Sequence, residues 1–256
     1  MIIAFVNHKG GVGKTTSALN IGAGLQARGY STLLIDADAQ ANLTTSVGIF
    51  GEQPLSVYNV MKKECRIEET IIRREGEVDI VPAALDLSRI EREITSFLRK
   101  ENILERALEP IRTMYDFILI DCPPSLGAMT INALAAADTA YIPISAELMP
   151  VSGLKTIYDT IEEIRQEMIN PRLTVGGIIV TRFSKQKIVN QTVANDLRAQ
   201  YGDVVFHTAV RENVALIESY DRSTDIFRYA PKSSGAQDYA LLCEEMLLKT
   251  EALIHA

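Results

Sequence analysis

Cysteine is scarce in this chain of 256 residues. Cys65, Cys122 and Cys243 are its only cysteines, and they lie far apart without the spacing of metal ligands. An odd number of scattered cysteines fits a protein of the reducing cytosol. The absence of a C-x-x-C pair also counts against an iron–sulfur protein. We therefore expect a cytoplasmic protein.

Long apolar runs and excess positive charge are also missing. No apolar run approaches the roughly 18–20 residues that span a membrane, and we expect no signal peptide. The net charge of −7 argues against a protein that coats nucleic acid over its whole surface. The charge is uneven, however, since residues 182–232 contain 8 Lys and Arg against 6 Asp and Glu. The sequence is therefore compatible with a local basic face that binds nucleic acid.

A glycine loop is the most informative stretch that is present. Residues 9–16, Lys-Gly-Gly-Val-Gly-Lys-Thr-Thr, lie between an apolar run and a long helical pattern. A strand, a glycine loop and a helix in this order are typical of phosphate binding, because backbone N–H groups turn toward phosphate oxygens. Lys14 can reach the β- and γ-phosphates, and the Thr15 hydroxyl can take a Mg²⁺ position. The match to G-x-x-x-x-G-K-[ST] is incomplete: His8 replaces the first glycine, and Lys9 adds a second lysine.

The rest of the chain alternates apolar runs with helical patterns, which indicates a parallel sheet with right-handed crossovers. Predicted strands cover residues 2–6, 31–35, 78–81, 117–121, 139–144, 173–180 and 204–207, with at most a short one at 225–227. Predicted helices cover residues 14–28, 56–63, 67–73, 85–108, 128–137, 151–168, 188–201, 213–220 and 234–254. No linker or repeat divides them. We expect one α/β domain over residues 1–256, a mostly parallel twisted sheet with helices on both faces.

Acidic residues follow two of the predicted strands. Asp36 and Asp38 follow the second strand, and Asp121 ends the strand at residues 117–121. The carboxyl ends of parallel strands meet at one edge of a sheet, so these acids should lie near the glycine loop. Asp121 can hold Mg²⁺ beside Thr15, and the other two can steer Mg²⁺ or orient a water. Each acid alone could equally be a turn residue or a helix cap; the loop favours a nucleotide site.

These motifs resemble a known family. Residues 9–16 are similar to the deviant Walker A motif of the ParA/MinD ATPases, a group with the P-loop NTPase fold. Residues 36–40, Asp-Ala-Asp-Ala-Gln, resemble the family's second-strand motif, and residues 117–127 resemble its Walker B segment. The resemblance runs from the first strand to the closing helix. It is greatest to the short, Soj-like ParA proteins of chromosome and plasmid partitioning.

The resemblance implies a role for each matching residue. Lys14 is the phosphate lysine, Thr15 and Asp121 hold Mg²⁺, and Asp38 positions or activates the hydrolytic water. Lys9 matches the lysine that reaches a partner's nucleotide across a dimer interface, where two facing triphosphates need added positive charge. ATP with Mg²⁺ should therefore hold together a symmetric homodimer. Other residues expected at the nucleotide are Gly10, Gly11, Val12, Gly13, Thr16, Asp36, Arg182 and Asn213.

The resemblance also implies partners. ParA-type proteins hydrolyse ATP slowly, respond to a centromere-binding ParB-type protein, and hold DNA non-specifically as ATP-bound dimers, which would place this chain on the nucleoid. Such binding needs Lys and Arg facing phosphates. Gln186 and Ala215 stand where Soj-like relatives carry basic residues, and the proline expected before the segment 211–213 is absent. Candidate DNA contacts are Arg182, Lys185, Lys187, Arg211, Arg222, Arg228 and Lys232.

Other functions on the same fold stay open. A MinD-like membrane ATPase would need a basic amphipathic tail, but residues 241–254 contain three glutamates and one lysine, so we expect no membrane partner. An iron–sulfur relative lacks its cysteine ligands. A small-molecule ligase or kinase would need a substrate loop, which is not evident. A nucleotide-gated binding module with negligible turnover would differ only in its rate of hydrolysis.

Overall fold

Parallel strands joined through helices form the centre of the molecule, whose computed structural model describes residues 1–147 and 151–254. The single-domain prediction also includes residues 148–150 and 255–256, which lie outside the described residues. The strands are β1 (Ile2–Phe5), β2 (Thr32–Asp36), β3 (Asp79–Val81), β4 (Phe117–Asp121), β5 (Thr139–Ser145) and β6 (Thr174–Thr181). They form one six-stranded sheet in the order β3-β2-β4-β1-β5-β6, and each neighbouring pair is parallel.

Helices cover both faces of this sheet. Side chains alternate between the faces: Ile2 and Ala4 belong to one buried cluster, and Ile3 and Phe5 belong to the other. The first cluster includes residues of α3 to α8, and the second includes residues of α1, α2, α10 and α11. The predicted α/β fold is confirmed. The helices are α1 (Lys14–Gln26), α2 (Asn42–Ser46), α3 (Val57–Met61), α4 (Ile90–Glu93), α5 (Ile103–Leu108), α6 (Ala128–Ala136), α7 (Val151–Gln166), α8 (Ile188–Tyr201), α9 (Val214–Asp221), α10 (Ile226–Tyr229) and α11 (Ser234–Ile254).

The order of the strands places the candidate site. The chain leaves β1 on one side to build β2 and β3, returns to insert β4 between β2 and β1, and then builds β5 and β6 on the other side. Asp121 at the end of β4 is in register with Phe5 of β1 and with Asp36 of β2. The carboxyl ends of the three central strands therefore meet where open parallel sheets bind ligands.

The prediction of one long helix over residues 85–108 is wrong. The segment contains a 3₁₀ turn at Leu85–Arg89, the short α4, a second 3₁₀ turn at Lys100–Asn102, and then α5. Arg99 has a left-handed backbone with φ of 52°, which a continuous helix excludes. The side-chain oxygen of Asn132 accepts the backbone N–H groups of Ile103 and Leu104, so it caps a new helix there. Contacts distant in sequence thus override the helical pattern.

Two short strand predictions also need correction. Around residues 204–207 the structure has a single parallel bridge between Val205 and Ile178 rather than a strand. Residues 225–227 begin a helix: the Asp225 carboxylate accepts the N–H groups of Phe227 and Arg228 and caps α10. An aspartate before two apolar residues is compatible locally with a strand or with a helix. The hydrogen bonds from the Asp225 carboxylate favour the helix here.

Helix α11 packs along α1. Its side chains Tyr239, Leu242 and Met246 are buried, and the Arg28 guanidinium, just beyond α1, donates a hydrogen bond of 2.9 Å to the Ala240 carbonyl. One side of this helix is thus buried, whereas Leu241 and Leu248 are exposed. Over residues 1–147 and 151–254, no helix has the length and apolar character that crossing a membrane requires.

Candidate functional site: a phosphate loop with a metal position

The glycine loop turns sharply between β1 and α1. Gly13 immediately precedes α1 with φ of 89°, and Gly11 has φ of 71°. Residues other than glycine rarely adopt these backbone angles. The Thr181 hydroxyl at the end of β6 donates a hydrogen bond of 2.8 Å to the Val12 carbonyl. This contact holds the loop against the sheet, and within the described ranges the first N–H groups of α1 have no partner in the helix and no capping side chain. Such a helix N-terminus is a site for anions.

Lys14 places a positive charge inside this loop. Lys14 is only 7% exposed, and its Nζ donates a hydrogen bond of 3.0 Å to the Lys9 carbonyl. Burial lowers the pKa of Lys14, while the neighbouring Asp121 carboxylate opposes that change. The ammonium is thus held in place before a phosphate arrives, so it need not be ordered on binding.

Thr15 and Asp121 meet directly beneath the loop. The Thr15 hydroxyl donates a hydrogen bond of 2.6 Å to Oδ2 of Asp121, whose residue is 1% exposed. Oδ1 of Asp121 is buried and has no hydrogen-bond partner among the described residues. Burial and the nearby Asp36 carboxylate raise the pKa of Asp121 well above its ordinary value. A buried carboxylate oxygen without a donor, beside a hydroxyl, fits a hard divalent cation such as Mg²⁺.

Asp36 is fully buried and serves the protein's own backbone. Its Oδ2 accepts hydrogen bonds from the Thr44 N–H (2.8 Å) and the Thr44 hydroxyl (2.7 Å), and its Oδ1 accepts one from the Asp38 N–H (3.1 Å). Burial raises the pKa of Asp36 to about 6, although these donors favour the carboxylate. Its predicted contact with the nucleotide stays a prediction. Thr44 was missed, because a threonine in a short helical stretch gives no local signal.

Asp38 is less buried than Asp36. Its Oδ1 accepts a hydrogen bond of 3.0 Å from the Gln40 N–H, and its carbonyl accepts one of 2.9 Å from the Ala41 N–H. These contacts form a tight turn that leads from β2 into α2. The turn places a half-buried carboxylate at the edge of the sheet that also carries Lys14 and Asp121, as the sequence predicts. Its charge acts on both of these groups.

The mouth of the loop packs against the start of α7. The Lys9 N–H donates a hydrogen bond of 3.0 Å to the Asn7 side-chain oxygen. A Cβ atom on Gly153 would lie 2.4 Å from Cε1 of His8 and 3.5 Å from Cε of Lys9, so the two side chains lie along the helix backbone. Nδ1 of His8 is buried without a hydrogen-bond partner in the described part of the chain. The predicted reach of Lys9 across a dimer interface stays a prediction.

Arg182 and Asn213, which are also predicted at the nucleotide, lie in different settings. Nη2 of Arg182 lies 3.9 Å from the position of a Cβ on Gly11, so its guanidinium is beside the glycine loop. Nη1 of Arg182 lies 3.9 Å from Oε2 of Glu147. Asn213 caps α9 by accepting the Ala215 N–H at 2.8 Å, and its amide donates to the Ser234 hydroxyl. Both ends of the Asn213 side chain are therefore occupied within the protein.

Two of the predicted DNA contacts are already neutralised by carboxylates. Nζ of Lys187 lies 3.0 Å from Glu147 and 3.0 Å from Glu212. The Arg211 guanidinium donates to both carboxylate oxygens of Asp238 at 2.7 to 3.0 Å, and Asp238 itself is buried. Arg211 therefore has a structural role, because an unpaired buried carboxylate would cost several kcal/mol.

Of the remaining basic candidates, one is paired with carboxylates and three are not paired with any described residue. Arg228 is paired with Glu77 and Asp225 and also donates to the Gly76 carbonyl. Three candidates are exposed and form no ion pair with the described residues: Lys185, Arg222 and Lys232. The basic surface available to a polyanion is thus smaller than the sequence indicates.

Comparison with known proteins gives a consistent result. A family model described as an AAA domain matches residues 1–175. The chain is 38% identical over 250 residues to the chromosome partitioning protein ParA of Caulobacter vibrioides (strain NA1000 / CB15N), covering 96% of this chain and 93% of that protein. It is 36% identical over 247 residues to the sporulation initiation inhibitor protein Soj of Bacillus subtilis (strain 168), covering 96% and 97%.

Solved structures agree with this assignment. Cobyrinic acid a,c-diamide synthase of Mycobacterium smegmatis, with bound ADP and magnesium, has a TM-score of 0.84 at 29% identity and covers 96% of this chain and 93% of that one. The matched residues 1–175 include the glycine loop and the three strand-end acids. The predicted P-loop fold and family are thus confirmed. The chain belongs to the ParA/MinD family of deviant Walker A P-loop ATPases and is similar to its ParA and Soj members over nearly its whole length.

Proposed function

We propose that this protein is a partitioning ATPase, which binds ATP with Mg²⁺, dimerises around it, and holds DNA until hydrolysis resets it. The observation that carries the proposal is the pair formed by Thr15 and Asp121 beneath a loop that already contains the Lys14 ammonium. The similarity to proteins named ParA and Soj supports partitioning as the process. The protein would act in the cytoplasm, on the nucleoid when ATP is bound.

Each residue of the loop has a task in this proposal. The N–H groups of residues 10–16 bind phosphate oxygens, and Lys14 neutralises charge on the β- and γ-phosphates. Thr15 and Asp121 would hold Mg²⁺, which supplies the remaining positive charge on the phosphates. Asp38 accepts a hydrogen bond from the attacking water and orients it toward the γ-phosphate. Because only one carboxylate serves the water, we expect slow turnover that a ParB-type partner accelerates.

Dimerisation rests on Lys9. Lys14 lies in the interior of the loop, and Lys9 at its mouth matches the lysine that the ParA/MinD motif assigns to a second subunit's triphosphate. Two bound nucleotides facing each other would repel, and a lysine from each side would offset that repulsion. ATP would then bind the dimer more tightly than the monomer, which is the condition for a nucleotide to drive association.

DNA binding would use the exposed basic residues. Lys185, Arg222 and Lys232 carry no competing carboxylate in the described structure, and Arg182 lies beside the loop. In a dimer each of these residues occurs twice, which doubles the number of phosphate contacts and makes affinity depend on association. Because ATP would drive dimerisation, this doubling would make the affinity for DNA depend on the bound nucleotide.

A mobility-shift titration with duplex DNA of unrelated sequence tests the proposal. The duplex should be retarded with ATP and Mg²⁺ but not with ADP, and the affinity should fall steeply between 50 and 200 mM salt. A Lys14→Ala variant serves as the nucleotide-binding control. Binding that is equal with and without ATP would refute the proposal, and retention on anionic vesicles in place of DNA would favour the MinD-like alternative.

A further inference from the structure

Thr44 connects two strand ends of the candidate site. It lies in α2, and its residue is 3% exposed. Its hydroxyl donates a hydrogen bond of 2.7 Å to Oδ2 of Asp36 and accepts one of 3.0 Å from the N–H of Ala83, two residues beyond β3. Its own N–H donates a second hydrogen bond of 2.8 Å to the same Asp36 oxygen. A single side chain thus ties α2 to the ends of β2 and β3.

The direction of these hydrogen bonds is fixed. A backbone N–H can only donate, so the Thr44 hydroxyl must accept from Ala83 and direct its proton to Asp36. The hydroxyl therefore has one orientation, and Asp36 receives two donors from the same residue. The other Asp36 oxygen accepts the Asp38 N–H at 3.1 Å. The N–H groups of Ala83 and Asp38 therefore donate inward from the two ends of this chain of contacts, which converges on the Asp36 carboxylate, and the Thr44 hydroxyl is not free to rotate.

We propose that Thr44 is a positioning residue for ATP hydrolysis, which fixes Asp36 and, through Asp36, the backbone that carries Asp38. The proposal rests on the proposed ATPase function. The Thr44 hydroxyl is engaged with Asp36 and with the Ala83 N–H, so we assign it an effect through the two acids and not through a contact with the nucleotide. Its effect should appear in the chemical step rather than in nucleotide affinity, since Lys14 and Thr15 reach the phosphates from a different element.

The turn between Asp36 and Thr44 needs such an anchor. Ala41, which precedes α2, has a left-handed backbone with φ of 53°, a conformation that costs an alanine about 1 kcal/mol or more. The Ala41 N–H is held by the Asp38 carbonyl at 2.9 Å. A strained turn relaxes unless both of its ends are fixed. Asp36 fixes one end, and Thr44 fixes the other by bonding to that same carboxylate.

Substitution of Thr44 with valine tests the role, because valine keeps the shape and removes the hydroxyl. In a phosphate-release assay, Thr44→Val should lower kcat about tenfold, while KM for ATP and the Kd of a fluorescent ATP analogue stay within about twofold. Thr44→Ser retains the hydroxyl and should restore most of kcat. Thr45→Val is the matched control, since among the described residues the Thr45 hydroxyl bonds only to the nearby Ala41 and Asn42 carbonyls.

Several outcomes would overturn the inference. They are a wild-type kcat for Thr44→Val, a rise in KM at constant kcat, and an equal loss in Thr45→Val. If Thr44→Val does not fold, Thr44→Ser decides alone, and a kcat below a tenth of the wild-type value in that folded variant would overturn the role. Absence of ATP hydrolysis by the wild-type protein would instead refute the proposed function. The two failures are therefore distinguishable.

Discussion

The buried carboxyl of Asp36 should make stability depend on pH in a defined direction. Burial raises its pKa from 3.8 to about 6 in the folded protein, against the hydrogen bonds from Thr44. A carboxyl whose pKa is raised by folding stabilises the protein below its unfolded pKa. That contribution is lost as the pH rises through the folded value. Asp36→Asn removes the titrating group, so the difference between wild type and variant reports its contribution, together with the fall in the pKa of Asp121 that loss of the Asp36 charge causes.

The magnitude follows from the two pKa values. The change from 3.8 to about 6 corresponds to about 3 kcal/mol over the whole titration. Most of this change falls below pH 6, where the folded carboxyl is still protonated. Between pH 5 and 7 the free energy of unfolding of the wild type, relative to Asp36→Asn, should fall by about 1 kcal/mol. The baseline difference between the proteins, which reflects lost hydrogen bonds, does not affect this slope.

Urea unfolding at several pH values measures the effect, with EDTA present and nucleotide absent so that no ligand stabilises the folded state. Thr44→Val provides a second check: loss of its hydroxyl removes a donor to Asp36, raises the pKa of that carboxyl further, and moves the fall to higher pH. A difference between wild type and Asp36→Asn that is constant or rises from pH 5 to 7 would refute the reasoning.

The other predictions concern the proposed cycle. Lys14→Ala should abolish ATP binding in a fluorescent-analogue titration, and undiminished binding would contradict the phosphate role. Lys9→Ala should bind ATP as a monomer, so an ATP-dependent dimer in sedimentation velocity would exclude a role across the interface. Asp38→Ala should reduce the hydrolysis rate about 100-fold or more and accumulate the ATP dimer; wild-type turnover would remove Asp38 from the mechanism. Lys185→Ala should lower the salt slope of DNA binding by about 1 to 2 per dimer, whereas Lys187→Ala, whose lysine is already paired, should change it less.

The features that could be predicted from the sequence are those determined by neighbouring residues. A strand without polar interruptions, such as β1, must be buried on both faces, and the loop after it needs glycines because of its own backbone. The acids Asp36 and Asp121 follow from the same reasoning, since strand ends in a parallel sheet meet at one edge. These constraints place the two acids beside the glycine loop without knowledge of any distant contact.

The features that could not be predicted depend on partners far along the chain. The start of α5 is set by Asn132, which lies 29 residues after Ile103. Lys187 is paired with Glu147, 40 residues before it, and Arg211 with Asp238, 27 residues after it. The sequence alone does not show whether a Lys or Arg side chain is paired with a carboxylate in the folded protein. The sequence therefore overestimated the unpaired basic surface for the same reason that it missed Thr44.

The balance of charge at the site explains why nucleotide binding and association would be coupled in the proposed cycle. Three carboxyls, Asp36, Asp38 and Asp121, act on one another there, and the buried Lys14 ammonium interacts with Asp38 and Asp121. A triphosphate adds several negative charges to a site that is already acidic. Mg²⁺ at Asp121 offsets part of them, and a second lysine from a partner subunit offsets more. If Lys14 alone were sufficient, Lys9 would have no electrostatic reason to reach a partner. The acidity of the site therefore gives an electrostatic reason for the second lysine that the loop motif supplies.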